Sequence, residues 1–157
     1  MAGLPSIVFY QPRIPENTGA AIRLSAVTGA PLRLVRPLGF DLSAPKLKRA
    51  GLDYHDLATV TVHATFDALL EEFPEARVFA FTSKGEQRYT DIEYEPSDLL
   101  VFGPEPTGLP EVALQHPRVD RWVRIPMLPG RRSLNLSNSA AIATYEAARQ
   151  LGFDGHQ

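Results

Sequence analysis

Hydroxyl, amide and carboxylate side chains gather in three short segments whose glycines and prolines mark them as loops. The richest lies between Arg124 and Arg149, RIPMLPGRRSLNLSNSAAIATYEAAR. A Pro-Gly-Arg-Arg turn is followed there by Ser133 to Ser139, in which hydroxyls and amides alternate with leucines. Such a turn offers backbone N–H groups, side-chain donors and apolar walls together, a combination suited to a ligand with a purine-like ring and charged groups. The second segment, GPEPTGLP, fixes Glu105 between Pro104 and Pro106. A carboxylate held that rigidly either closes a turn or orients a guanidinium through two parallel hydrogen bonds. The third, PRIPENTG, brings Glu16 and Asn17 to the start of a helix that also carries Arg23. Asn17 or Thr18 reads there as the helix cap, and Arg23 taken alone as a surface charge.

Ser133, Ser137, Asn138 and Ser139 invite a reading as nucleophilic machinery, but a serine nucleophile needs an adjacent base. The histidines, His55, His63, His116 and His156, all lie outside the three loops, which argues against a hydrolytic triad. Their wide spacing argues against a metal site. The absence of cysteine excludes disulfides and thiolate metal ligands. The loop hydroxyls and amides therefore read as helix caps and ligand holders. Tyr145, two turns into the last helix, belongs either to the core or, through its hydroxyl, to the site.

Short apolar runs alternating with amphipathic stretches must position these groups. Strands are expected at Ser6–Tyr10, Leu32–Val35, Thr59–His63, Val78–Thr82, Leu99–Phe102 and Trp122–Met127. Helices are expected from Asn17 or Thr18 to Thr28 with Gly29 as stop, and over Ser43–Leu52, Phe66–Phe73, Leu109–Gln115 and Ser137–Leu151. This alternation predicts an α/β fold, a mostly parallel sheet with helices on both faces. No linker or repeat divides the chain, so residues 1–157 read as one domain. Each of the three unusual loops follows a strand, and ligands of open parallel sheets sit outside the carboxyl ends of strands. One composite site is the expectation. No GxGxxG or Walker lysine is present.

The net charge of −2 hides an uneven distribution. Residues 10–49 hold seven Lys/Arg against two acids, residues 50–115 three against thirteen, and residues 116–157 six against three. Two basic segments can share one face, and a local patch matters more than the total. No run of 18 apolar residues exists, so no membrane partner is expected, and MAGLPSIVFY reads as strand and not as signal peptide. The expected location is the cytoplasm.

Read together, PENTGAAIR, LVFGPEPTGLP and RIPMLPGRRSLNLSNSAAIATYEAARQLGF resemble the three signature motifs of the SPOUT-class RNA 2′-O-ribose methyltransferases. The likeness is greatest to the small single-domain members that methylate the wobble nucleotide of tRNA. It includes KLKRAGLDYHDL at 46–57 and spans about residue 6 to residue 153. The resemblance implies an α/β knot, with a trefoil knot near the C-terminal end. Unaided topology rules would have argued against that. It implies S-adenosylmethionine as cofactor, held by Phe81, Thr82, Gly103 to Glu105, Ile125, Pro126, Met127, Ser133 and Leu134. It also implies a homodimer in which Arg23 of one chain approaches the cofactor of the other. Asn17 and Glu105 would position Arg23, Ser137 and Asn138 would shape the third loop, and Tyr145 would support the acceptor. Arg13, Lys46, Lys48, Arg49, Arg131 and Arg132 become candidate contacts to tRNA phosphates.

The implied reaction moves a methyl group to the ribose 2′-OH of nucleotide 34, a cytidine or uridine, in leucine tRNA. A 2′-OH acceptor also sets RNA apart from DNA. A guanidinium with a pKa above about 12 is a poor general base. Arg23 is therefore read as a phosphate ligand that stabilises the developing alkoxide. A methyltransferase for another tRNA or rRNA position, and a non-catalytic RNA-binding module of the same fold, remain as alternatives.

Overall fold

In a computed structural model, which describes residues 3–43, 45, 59–131 and 134–157, the apolar runs pair into one seven-stranded sheet. The strands are β1 (Ser6–Tyr10), β2 (Leu32–Val35), β3 (Val60–His63), β4 (Val78–Phe81), β5 (Gln87–Arg88), β6 (Leu99–Phe102) and β7 (Val119–Arg124). Their order is β3-β2-β1-β6-β4-β7-β5, and every pairing is parallel. The helices are α1 (Pro15–Thr28), α2 (Phe66–Glu72), α3 (Glu111–Leu114) and α4 (Leu136–Gln150). A short 3₁₀ turn covers Tyr89–Asp91.

Alternation along the central strands builds two cores. Ile7 and Phe9 of β1, Phe79 and Phe81 of β4, and Leu100 and Phe102 of β6 meet Ala21 and Ile22 of α1 and Leu136, Ala140, Ala143 and Ala147 of α4. Val8, Tyr10, Val78, Ala80, Leu99 and Val101 face the other way, onto Phe66, Leu69 and Leu70 of α2 and Ala113 and Leu114 of α3. Strands buried on both faces read as unbroken apolar runs, which is why β1, β4 and β6 are so plain in the sequence. The alanines of α4 let its backbone lie close to α1 and the sheet.

The expected parallel α/β layers are present, with several shifts. Helix α1 begins at Pro15 with Ile14 as its cap residue, so neither Asn17 nor Thr18 is the cap. Proline suits the first helical position because the N–H it lacks would have had no partner there. The stop at Gly29 is as expected: its φ of 84° is left-handed, and its N–H donates to the Ser25 carbonyl.

The last strand is Val119–Arg124, three residues earlier than Trp122–Met127. Polar Asp120 and Arg121 conceal its start, and Pro126 cannot donate to a ladder. Asp120 sits where the β4–β7 register slips, and its carboxylate accepts the Val78 N–H at 2.6 Å. The short β5 was not expected. The helix expected over Ser43–Leu52 falls almost wholly outside the described residues.

Candidate active site

The three loops meet outside the carboxyl ends of β4, β6 and β7. They enclose a cleft of about 770 Å³, within the range of small-molecule sites. Phe81 and Phe102, the last residues of two neighbouring strands, stack with ring centroids 4.5 Å apart. Both line the cleft, as do Leu109, Ile125, Leu134 and Leu136, giving it apolar walls. The loop after β6 folds back on itself, with the Gly108 N–H donating to the Pro104 carbonyl at 2.8 Å. Gly103 is required for that approach: a Cβ there would overlap the backbone of Gly108 and Leu109.

Because β7 lies between β4 and β5, residues 82–86 must cross its carboxyl end. They do so in contact. The Thr82 N–H donates to the Val123 carbonyl at 2.9 Å, and a Cβ on Gly85 would lie 2.5 Å from the Val123 carbonyl carbon.

A run of hydrogen bonds ties the loops together. Glu105 accepts the backbone N–H groups of Arg13 at 2.9 Å and Ile14 at 3.1 Å, and the Asn17 side-chain amide at 2.9 Å. The carboxylate thus sits at the N-terminal end of α1, where the helix dipole favours negative charge. Asn17 Oδ1 in turn accepts from Asn135 Nδ2 at 3.0 Å. Asn135 Oδ1 accepts the Ser137 hydroxyl at 2.7 Å and the Asn138 N–H at 3.1 Å. Asn135 is therefore the cap of α4, and this one side chain joins the third loop to the first. Sequence reasoning passed over it in favour of the serines. The available signal was an Asn directly before Leu136, the first apolar-periodic residue of the helix.

Of the residues singled out from sequence, Asn17, Phe81, Thr82, Gly103, Pro104, Glu105, Ile125, Met127, Arg131 and Leu134 line the cleft. Ser137 and Asn138 adjoin it through Asn135. Arg13 is exposed beside it, its backbone bound to Glu105. Arg23 is exposed on α1 and Tyr145 is 45% exposed on α4, so Tyr145 is not a core residue. Neither lines the cleft of its own chain. Lys46, Lys48, Arg49, Arg132 and Ser133 lie outside the described residues. At the rim Lys84 donates to Glu111 at 2.6 Å, and this hydrogen bond holds the Glu111 carboxyl below its usual pKa. None of the described histidines lines the cleft. The described residues contain no cluster able to hold a metal ion and no helix long and apolar enough to cross a membrane.

Several known proteins are similar to this chain. A tRNA (cytidine(34)-2′-O)-methyltransferase of Methylovorus glucosotrophus is 52% identical over 149 residues, covering 95% of this chain and 97% of its own. A solved structure from work on the 2′-OH methylation of C/U34 on tRNA superposes with a TM-score of 0.90 at 47% identity, covering 96% of this chain and 98% of that one. An S-adenosylmethionine-bound rRNA methyltransferase of Sinorhizobium meliloti superposes at 0.83 with 26% identity, covering 96% of this chain and 58% of the other. Residues 5–145 match the model of the SpoU rRNA methylase family, and to that family the chain belongs.

Proposed function

We propose that the chain is an S-adenosylmethionine-dependent methyltransferase acting on the ribose 2′-OH of tRNA nucleotide 34, a cytidine or uridine, with leucine tRNA as substrate. The observation that carries this reading is the closure of three loops around one apolar cleft by Glu105, Asn17 and Asn135. The residues fit the cofactor. Phe81, Leu109, Ile125 and Leu134 offer walls for a purine, and the backbone at Gly103 is bare of the side chain that would fill the loop. When bound, S-adenosylmethionine supplies an electrophilic methyl group for the hydroxyl oxygen. The protein holds the acceptor in line and excludes water.

Arg23 follows Asn17 by six residues on α1, a rotation of about 240° about the helix axis. It therefore faces away from its own cleft, which supports a homodimer in which it serves the partner's site. There its fork binds the acceptor phosphate and stabilises the developing alkoxide. Exposed apolar side chains at Val27, Tyr145 and Phe153, on α1, on α4 and just beyond α4, suit burial against a second copy. The crossing of residues 82–86 over β7 supports the trefoil-knotted path. A tRNA-modifying role is in keeping with a cytoplasmic location.

Ribose-methylation mapping of tRNA from cells with and without the gene tests the substrate. Loss at nucleotide 34 is expected, and unchanged methylation there would overturn the assignment. Arg23→Lys keeps the charge and loses the fork, so turnover at saturating tRNA should fall. Parent-like turnover would remove the bidentate role.

A further inference from the structure

The open edge of the sheet carries a charge arrangement that the cleft does not use. Arg88 of β5 is in direct register with Arg124 of β7. Registered residues of parallel neighbours project from the same face of a sheet whose strands lie about 4.8 Å apart. Both side chains are exposed. Among the described residues neither has an ion-pair partner. Exposed Glu86, two residues before Arg88, pairs with neither. Like charges directly across a strand pair are destabilising, so the free protein holds a repulsion here that its own described groups do not relieve.

The pair lies at the carboxyl end of β7, where the cleft opens, on the sheet face opposite Val123 and Phe81. Arg124 ends β7 and immediately precedes Ile125, which lines the cleft. The nearby rim lysine, Lys84, is already engaged by Glu111 at 2.6 Å.

We propose that Arg88 and Arg124 together clamp one backbone phosphate of the tRNA substrate at the edge of the cleft; this rests on the tRNA reading above. A phosphate shared by two guanidinium forks replaces their mutual repulsion with two charge-assisted contacts, and Arg suits such planar, bidentate recognition. A contact of this kind positions the substrate without reading a base. The pair extends the binding surface beyond the carboxyl ends of β4 and β6 to the last strand of the sheet.

The test is equilibrium tRNA binding over a series of salt concentrations for the parent, Arg88→Gln, Arg124→Gln and the double variant. Thermal melts and S-adenosylmethionine affinity are measured on the same preparations. Arg121→Gln is the control: it removes the same charge from the opposite face of β7, about 10 Å along the strand.

Each single variant should weaken tRNA binding about fivefold, as expected for one solvent-exposed charge-assisted contact, and the double variant should flatten the salt dependence by about 0.7–0.9 in log–log slope, the share of one phosphate. The double variant should lose less than the sum of the singles, because both side chains hold one phosphate. Melting temperatures should be no lower than the parent's, since the variants relieve repulsion, and the KM for tRNA should rise.

An unchanged slope in the double variant would overturn the clamp. So would an equal flattening by Arg121→Gln, which would be a net-charge effect. A loss of S-adenosylmethionine affinity with tRNA binding intact would assign the arginines to the cofactor and overturn it as well. If the arginines only guard an open edge against strand pairing, the variants will aggregate more readily yet bind tRNA like the parent. A parent protein that binds no tRNA refutes the proposed function itself, whereas parent-like variants of an active enzyme refute only the clamp.

Discussion

Replacing Glu105 with alanine removes the acceptor for donors on three residues: the backbone N–H groups of Arg13 and Ile14, and the side-chain amide of Asn17. A hydrogen bond to a charged group contributes roughly 1.5–3 kcal/mol where it is buried, and less where water can replace it. Arg13 and Ile14 are exposed while Asn17 is buried, so the full value applies to one bond and a reduced value to two. The total loss is about 2–4 kcal/mol. For a domain of this size each kcal/mol shifts the melting temperature by roughly 2–4 °C, so the variant should melt about 5–15 °C below the parent.

Glu105→Gln keeps one carbonyl acceptor but turns an NH₂ group toward an N–H donor, so it should fall between the two. The same variants should bind S-adenosylmethionine at least about tenfold more weakly, the equivalent of ~1.4 kcal/mol, because Asn17 and through it Asn135 lose their tether. Thermal and urea unfolding report the first effect, and calorimetric titration of the folded protein reports the second. An alanine variant that melts within about 1 °C of the parent and binds the cofactor as tightly would show that Glu105 does not anchor these loops.

Two further outcomes follow from the packing. Gly103→Ala places a methyl group against the backbone of Gly108 and Leu109. The loop must move, at a cost of about 1–3 kcal/mol, and cofactor binding should weaken with it; parent-like melting and affinity would contradict the close approach. His63 is buried at the end of β3 with its Nε2 unpartnered among the described residues. Burial pushes its pKa below 6.5, Glu72 partly offsets that, and Arg33 adds to it. The unfolded chain therefore takes up a proton more readily between the lowered value and 6.5. Stability is present above that window and lost as pH falls through it. Urea unfolding at neutral and mildly acidic pH should show this loss in the parent and a smaller one in His63→Leu, and equal losses would exclude His63 as the source.

The elements easiest to read from sequence were those set by local chemistry. β1, β2 and β6 have the expected bounds because strands covered on both faces read as short, largely apolar runs. Gly29 stopped α1 where expected because only a residue without a side chain adopts its φ of 84° at no cost. The shifts arose where a distant partner overrode a local preference. Asn17 has the composition of a cap, but the helix starts before it, and Glu105, far along the chain, accepts the two amides just ahead of α1 and the Asn17 side-chain amide, so that Asn17 bridges two loops. β7 was misplaced because its start is polar, and its pairing is completed by Asp120 reaching the N–H of Val78. β5, two residues long, has no periodicity to read.

The sequence by itself determined the layers, the chemistry of the three loops and, through the motifs they contain, the family. Each depends on residue type and on spacings of a few residues, which a chain carries wherever it folds. The tertiary structure alone decided that Glu105, Asn17 and Asn135 touch, that Gly103 lies under the backbone of Leu109, and that Arg88 stands beside Arg124. Those contacts depend on strand order and on register, and both are fixed by burying two faces of one sheet at once. No local stretch of sequence contains that constraint.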